Sequence, residues 1–170
     1  MKKFELTAEF VTNVFGKKLF RIKALVAFCN VEKGELGGFI EKEDNLSHDD
    51  NAWVYGNAQV SGNAWVSGNA QVFDNARVSG NAQVFGNADY AVVAGFGRYF
   101  RTTTFFRCKD KILRVQCGCF YGDLAQFREI VKKTHGDSKY AKEYLAIADL
   151  MELHFSDKCG GEQMNDGKIY

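Results

Sequence analysis

Proline is missing from all 170 positions of the chain, where ordinary usage near 5% would put about eight. Without it every residue keeps a backbone N–H, which suits a fold that needs its donors in ladders and helices. No apolar run approaches the roughly 18 residues that span a bilayer. Glu5 sits where a secretory leader needs an apolar core, so the chain reads as a soluble cytoplasmic protein with no membrane partner. A large excess of either charge is lacking too. Lys and Arg number 22 against 21 Asp and Glu, and a net charge of +1 excludes a whole-molecule attraction to nucleic acid or anionic lipid. The cysteines, Cys29, Cys108, Cys117, Cys119 and Cys159, are odd in number; with no leader they read as reduced thiols. Cys117-Gly118-Cys119 has C-x-C spacing and no matching Cys or His pair, so it reads as strand cysteines, with no metal and no cofactor expected. No P-loop, G-x-S-x-G or H-E-x-x-H pattern occurs.

What is present in abundance is a repeat. Alanine recurs every sixth residue at Ala52, Ala58, Ala64, Ala70, Ala76, Ala82 and Ala88, each preceded by Asn. Valine follows two places later from Val54 to Val84, and glycine precedes the Asn at Gly56, Gly62, Gly68, Gly80 and Gly86, with Asp74 replacing it once. Ala and Val two apart share one face of a strand and point inward together. The residue between them (Trp53, Gln59, Trp65, Gln71, Arg77, Gln83) points outward. Gly-Asn makes the turn because both residues tolerate positive φ, and stacked Asn side chains can bond as a ladder.

Val-Ser-Gly-Asn-Ala-Gln and its siblings resemble the hexapeptide repeat of left-handed parallel β-helices. In that family three hexapeptides make one triangular coil, which here implies roughly two to three coils, with ends that caps or self-association must cover. Outward residues 18 apart then stack: Tyr55 beneath Phe73, Trp53 beneath Gln71, Trp65 beneath Gln83, Ser61 beneath Ser79, Ser67 beneath Phe85. The block Gly37-Gly38-Phe39-Ile40-Glu41-Lys42-Glu43, the Asn-Ala-Trp-Val repeats and the segment Thr134 to Leu145 resemble small hexapeptide-repeat proteins of bacteriophages and prophages. That resemblance implies a phage origin. Some small phage proteins act against host defence systems, CRISPR nucleases included.

The expected fold is mainly β: a short left-handed parallel β-helix between two caps. Residues 1–35 read as an N-terminal β-hairpin cap (Phe4 to Val11 and Lys18 to Phe28), 36–97 as the β-helix, 98–155 as a C-terminal hairpin plus two helices, and 156–170 as a flexible tail. Residues 32–50, with seven acids against two lysines, read as an acidic lead-in and partial first coil. Tyr90 to Gly97 reads as a glycine-containing exit. Thr102 to Cys108 and Lys111 to Cys117 read as the second hairpin, and helices follow from Gly122 to Gly136 and from Ser138 to His154.

Two features point to binding. Trp53, Tyr55, Trp65, Phe73 and Phe85 give the coil walls an aromatic surface that something is expected to cover: the protein's own ends, a second subunit or a foreign partner. Arg98, Arg101, Arg107, Lys109, Lys111 and Arg114 stand against Asp110 alone. With Tyr99, Phe105 and Phe106 they suit a nucleic-acid backbone or an acidic protein surface, or else pair with the 32–50 acids within one subunit or across two. The first expectation is a non-enzymatic inhibitor that occupies a host protein or protein–nucleic acid complex, and forms a homodimer or homotrimer. The alternatives are an acyltransferase with His48 as the candidate base, a polymer-forming structural component, and a sponge for a small nucleotide.

Overall fold

The computed structural model describes residues 1–156; the expected tail beyond Ser156, with Cys159, lies outside the described residues. Strands β1 (Phe4–Thr12) and β2 (Lys18–Ala24) form the N-terminal hairpin. Asn13 turns it: its side-chain oxygen accepts from the Phe15 and Lys17 N–H groups. β2 ends at Ala24 rather than Phe28, because the chain folds back where Phe28 and Val31 exchange backbone hydrogen bonds. The hairpin is joined to the repeat by a continuous sheet. Strand β3 (Leu36–Ile40) pairs antiparallel with β2, and its Phe39 and Ile40 pair parallel with Gln59 and Val60, so one sheet runs from the hairpin into the repeat.

The repeat forms six two-residue strands: β4 (Trp53–Val54), β5 (Gln59–Val60), β6 (Trp65–Val66), β7 (Gln71–Val72), β8 (Arg77–Val78) and β9 (Gln83–Val84). Trp53 pairs parallel with Gln71, Gln59 with Arg77 and Trp65 with Gln83, giving stacked walls at a spacing of 18 residues. Six alanines, Ala52 to Ala82, and six valines, Val54 to Val84, are buried inside. Gly56, Gly62, Gly68 and Gly80 adopt positive φ at the corners, and Asp74 does so in the one corner without glycine. Gly86 does not: its φ is −155°, the corner fails, and the seventh alanine, Ala88, leaves the interior in a 3₁₀ turn, Asn87–Asp89. Of the expected Asn ladder one rung forms among the described residues, Asn51 Nδ2 to Asn69 Oδ1 at 3.1 Å.

The last repeat strands are closed by side chains standing in for a further coil. The Gln71 N–H donates to Asn87 Oδ1 and the Arg77 N–H to Thr104 Oγ1, both at 2.9 Å, and the Phe85 N–H donates to Asp89 Oδ2 at 2.9 Å. The Tyr90 hydroxyl donates to the Gln71 carbonyl at 2.5 Å and accepts from the Phe73 N–H at 3.3 Å. An edge closed in this way offers no template to a further chain.

The C-terminal part is larger than a hairpin. Strands β10 (Tyr90–Phe96), β11 (Arg101–Arg107), β12 (Leu113–Cys117) and β13 (Phe120–Asp123) make a four-stranded antiparallel sheet in that order. The segment read as an exit is therefore a strand. Neighbouring residues of β11 serve different cores: Phe106 packs with the repeat valines, Phe105 with the helices. Alternation along a strand sends them to opposite faces, so the sheet lies between the end of the repeat and helices α1 (Leu124–His135) and α2 (Lys139–His154). Asp123 and Gln126 cap α1 reciprocally, Gly136 ends it at φ 55°, and Ser138 caps α2. No helix among the described residues is long and apolar enough to cross a membrane.

Lys3 fastens the N-terminus over the start of the repeat. Its ammonium donates to the carbonyls of Ala52, Asp49 and Asp50 at 2.8, 3.3 and 3.4 Å. Burial pushes its pKa from 10.5 down to about 8, opposed by Asp50 and Asp49. A depressed folded pKa gives stability that is present above pH 10.5 and is lost as pH falls through about 8. Lys3→Met removes that contribution. Chemical denaturation should show wild type gaining on the variant between pH 8 and pH 10.5; parallel profiles would contradict this.

Candidate docking face

Trp53 leaves the tube as its parity requires, yet it is 0% exposed. Phe28 and Phe4 close over its ring at 5.4 and 6.3 Å in edge-on geometry. Trp53 is therefore corrected from a binding residue to a core residue: the protein's own N-terminal segment covers it. Tyr55 stacks on Phe73 with centroids 4.6 Å apart and planes 11° apart, the Tyr half-buried and the Phe exposed.

The opposite outcome holds on the β6–β9 wall. Trp65 is 42% and Phe85 47% exposed, in edge-on contact at 5.8 Å. Straight stacking placed Trp65 beneath Gln83; the contact with Phe85 is the diagonal neighbour on the same wall, which long aromatic side chains reach. On one side Phe85 borders a groove of about 580 Å³ that it lines with Asp89, Arg107, Cys108, Lys109 and Lys111. On the other, Trp65 borders a recess of about 310 Å³ with Glu43, Asp44 and His48. The wall thus runs from an acidic end, across two aromatic rings, to a basic end.

The six basic residues do not form one patch. Arg98 and Arg101 sit at the β10–β11 turn, and Arg107, Lys109, Lys111 and Arg114 are at or beyond the other end of β11. Arg107 is held by Asp89 at 3.7 Å and by the Phe155 carbonyl at 3.2 Å, over the Phe155 ring. Arg114 is held by Asp110 at 2.6 Å, an attraction that raises its pKa against the effect of burial. Lys111 takes φ 63°, which breaks the strand parity that put it level with Arg107. Lys109 and Lys111 remain exposed at the turn, with no ion pair among the described residues. Within one chain, the 32–50 acids pair instead with the N-terminal segment: Glu41 with Lys17 at 2.9 Å and Glu43 with Lys2 at 2.6 Å.

His48 is built into the N-terminal packing. Its ring stacks on Phe4 at 4.2 Å, its Nδ1 accepts from the Lys3 N–H at 3.2 Å, and its Nε2 lies 3.9 Å from Glu43. Burial lowers its pKa, with Glu43 opposing. Cys108 is buried, and burial pushes its thiol up, away from the reactive thiolate. The Thr103 hydroxyl donates to Cys117 Sγ at 3.2 Å, Cys119 is exposed, and no cluster of metal-binding groups occurs among the described residues.

The family described as YdcK beta solenoid repeat matches residues 58–72 and 70–86, the stretch that carries β5 to β9. No curated protein matches the chain. The class of protein that the architecture and this match define is a β-solenoid repeat protein, mainly β with a C-terminal two-helix segment.

Proposed function

We propose that this protein works by occupying a partner, and that the Trp65–Phe85 wall with Lys109 and Lys111 is the surface that does so. The observation that carries this reading is the contrast between the two tryptophans. Trp53 is covered by the protein's own segment, whereas Trp65, Phe85 and two lysines without an ion pair among the described residues face solvent. Aromatic rings beside cations are the residue types that dominate binding energy when a partner desolvates them. Glu43 and Asp44 at the far end suit a protein surface of mixed charge better than an unbroken phosphate chain. The partner is a host protein or the protein part of a protein–nucleic acid complex. With the resemblance to phage hexapeptide-repeat proteins, the reading becomes a phage-encoded inhibitor of a host defence complex such as a CRISPR nuclease. Its coils wind left-handed, as in the hexapeptide proteins, and number two to three.

Two features argue against the alternatives. With Nδ1 accepting from the Lys3 amide, a neutral His48 carries its proton on Nε2, the nitrogen nearer Glu43, and has no lone pair ready for an acyl acceptor. The side-chain bonds that close the last coil oppose growth of a polymer through that end.

Lys109→Glu/Lys111→Glu is the test. Captured from host lysate in parallel with wild type, the reversed protein should lose its partner by tenfold or more while keeping its melting temperature and elution volume. Identical captured proteins would remove the basis of the reading.

A further inference from the structure

A separate recess of about 340 Å³ lies at the other end of β11, between the β10–β11 turn, the β12–β13 turn and helix α1. That is within the roughly 300–1,000 Å³ of small-molecule sites. Phe120, Phe127 and Val131 line it, and Ile130 stands half out of it at the surface. Arg98 and Arg101 line it beside Tyr99, their guanidinium carbons 5.6 and 5.1 Å from that ring's centroid. No Asp or Glu lines the recess, and neither arginine has an ion pair among the described residues. The turn that carries them is tied to α2: the Gly97 N–H donates to Glu143 Oε2 at 2.9 Å, and the Tyr144 hydroxyl donates to the Phe96 carbonyl at 3.4 Å. Arg101 also borders a groove of about 690 Å³ along the repeat, where Arg77, Asn57, Gln59 and Asn75 again come without a carboxylate.

We infer that this recess binds a small amphipathic anion, an alkyl or aryl body bearing a carboxylate or phosphate head. The body enters against Phe127 between Phe120 and Ile130, removing the exposed surface of the latter two from water. The head takes up Arg98 and Arg101, whose planar donors match either group and which have no ion pair among the described residues. The site is distinct from the Trp65–Phe85 wall and stands whether or not that wall binds a partner.

Calorimetric titration of the full chain with sodium decanoate, decyl phosphate and decanol, each below its micelle-forming concentration, tests the assignment. Both anions should bind at least tenfold more tightly than decanol, the tighter of the two naming the preferred head. Arg98→Ala/Arg101→Ala should bring the anions down to the level of decanol, and Ile130→Trp should block all three. Thr134→Trp, at the exposed rim, replaces Ile130→Trp if that variant does not fold. Equal binding of decanol and decanoate by wild type would overturn the inference. So would anion binding that survives both the arginine and the tryptophan variants.

Discussion

Trp53→Ala should cost about 3–5 kcal/mol, the loss typical of emptying a large buried aromatic site. The ring is fully enclosed, and its removal leaves Phe4, Phe28 and the carbonyl-anchored Lys3 packed around a void at the joint between hairpin and repeat. Against a total stability of about 5–15 kcal/mol, that loss endangers the N-terminal half at physiological temperature. Trp53→Phe should be far milder, because the indole Nε1 is buried without a hydrogen-bond partner and Phe removes that unsatisfied donor. The same truncation at Trp65, which is 42% exposed, should change stability by less than about 1 kcal/mol. Urea denaturation of the three variants checks the ranking; equal losses at Trp53 and Trp65 would mean that both walls are covered, or neither.

Gly38→Ala is the second large effect. A Cβ at Gly38 would stand 2.6 Å from the Ala58 carbonyl oxygen and 2.7 Å from Val54 Cγ1. Both belong to the repeat, so the added methyl forces β3 away from the wall that it extends. Overpacking of this kind costs about 1–3 kcal/mol, and backbone contact on one side puts Gly38→Ala at the upper end. Gly37 is equally confined, by the Val54 carbonyl oxygen at 2.6 Å. Gly86→Ala is the control: it has nothing within 4 Å and an extended φ, so its effect should stay within about 0.5 kcal/mol. Thermal melts of Gly38→Ala and Gly86→Ala that coincide would contradict the close approach of β3 to the repeat.

The contrast between these residues explains what could be read from the chain alone. Ala70 and Val72 are legible because every copy of their position meets the same interior, and six repetitions average out local noise. The turns, caps and helices of the C-terminal part follow from local signals such as Asp123, Gly136 and Ser138. Trp53 and Trp65 occupy the same place in the repeat, each within Asn-Ala-Trp-Val-x-Gly-Asn-Ala-Gln, and the differing neighbours do not tell which of the two is covered. What separates them is tertiary: Phe4 and Phe28 of the N-terminal segment close over Trp53 and leave Trp65 open. The pairing of Arg107 with Asp89, and the demotion of Ala88 by an extended Gly86, depend on tertiary context in the same way. Strand β10 was hidden by Gly95 and Gly97, which weaken a strand pattern, although Val92 and Val93 face opposite sides of a real ladder.

Acrylamide quenching of tryptophan fluorescence tests the difference between the two walls most directly. Wild type should show two populations, one readily quenched and one protected, and Trp65→Phe should retain the protected one alone. A Trp65→Phe protein whose remaining tryptophan is freely quenched would contradict the claim that the protein's own chain seals Trp53 while Trp65 stands open.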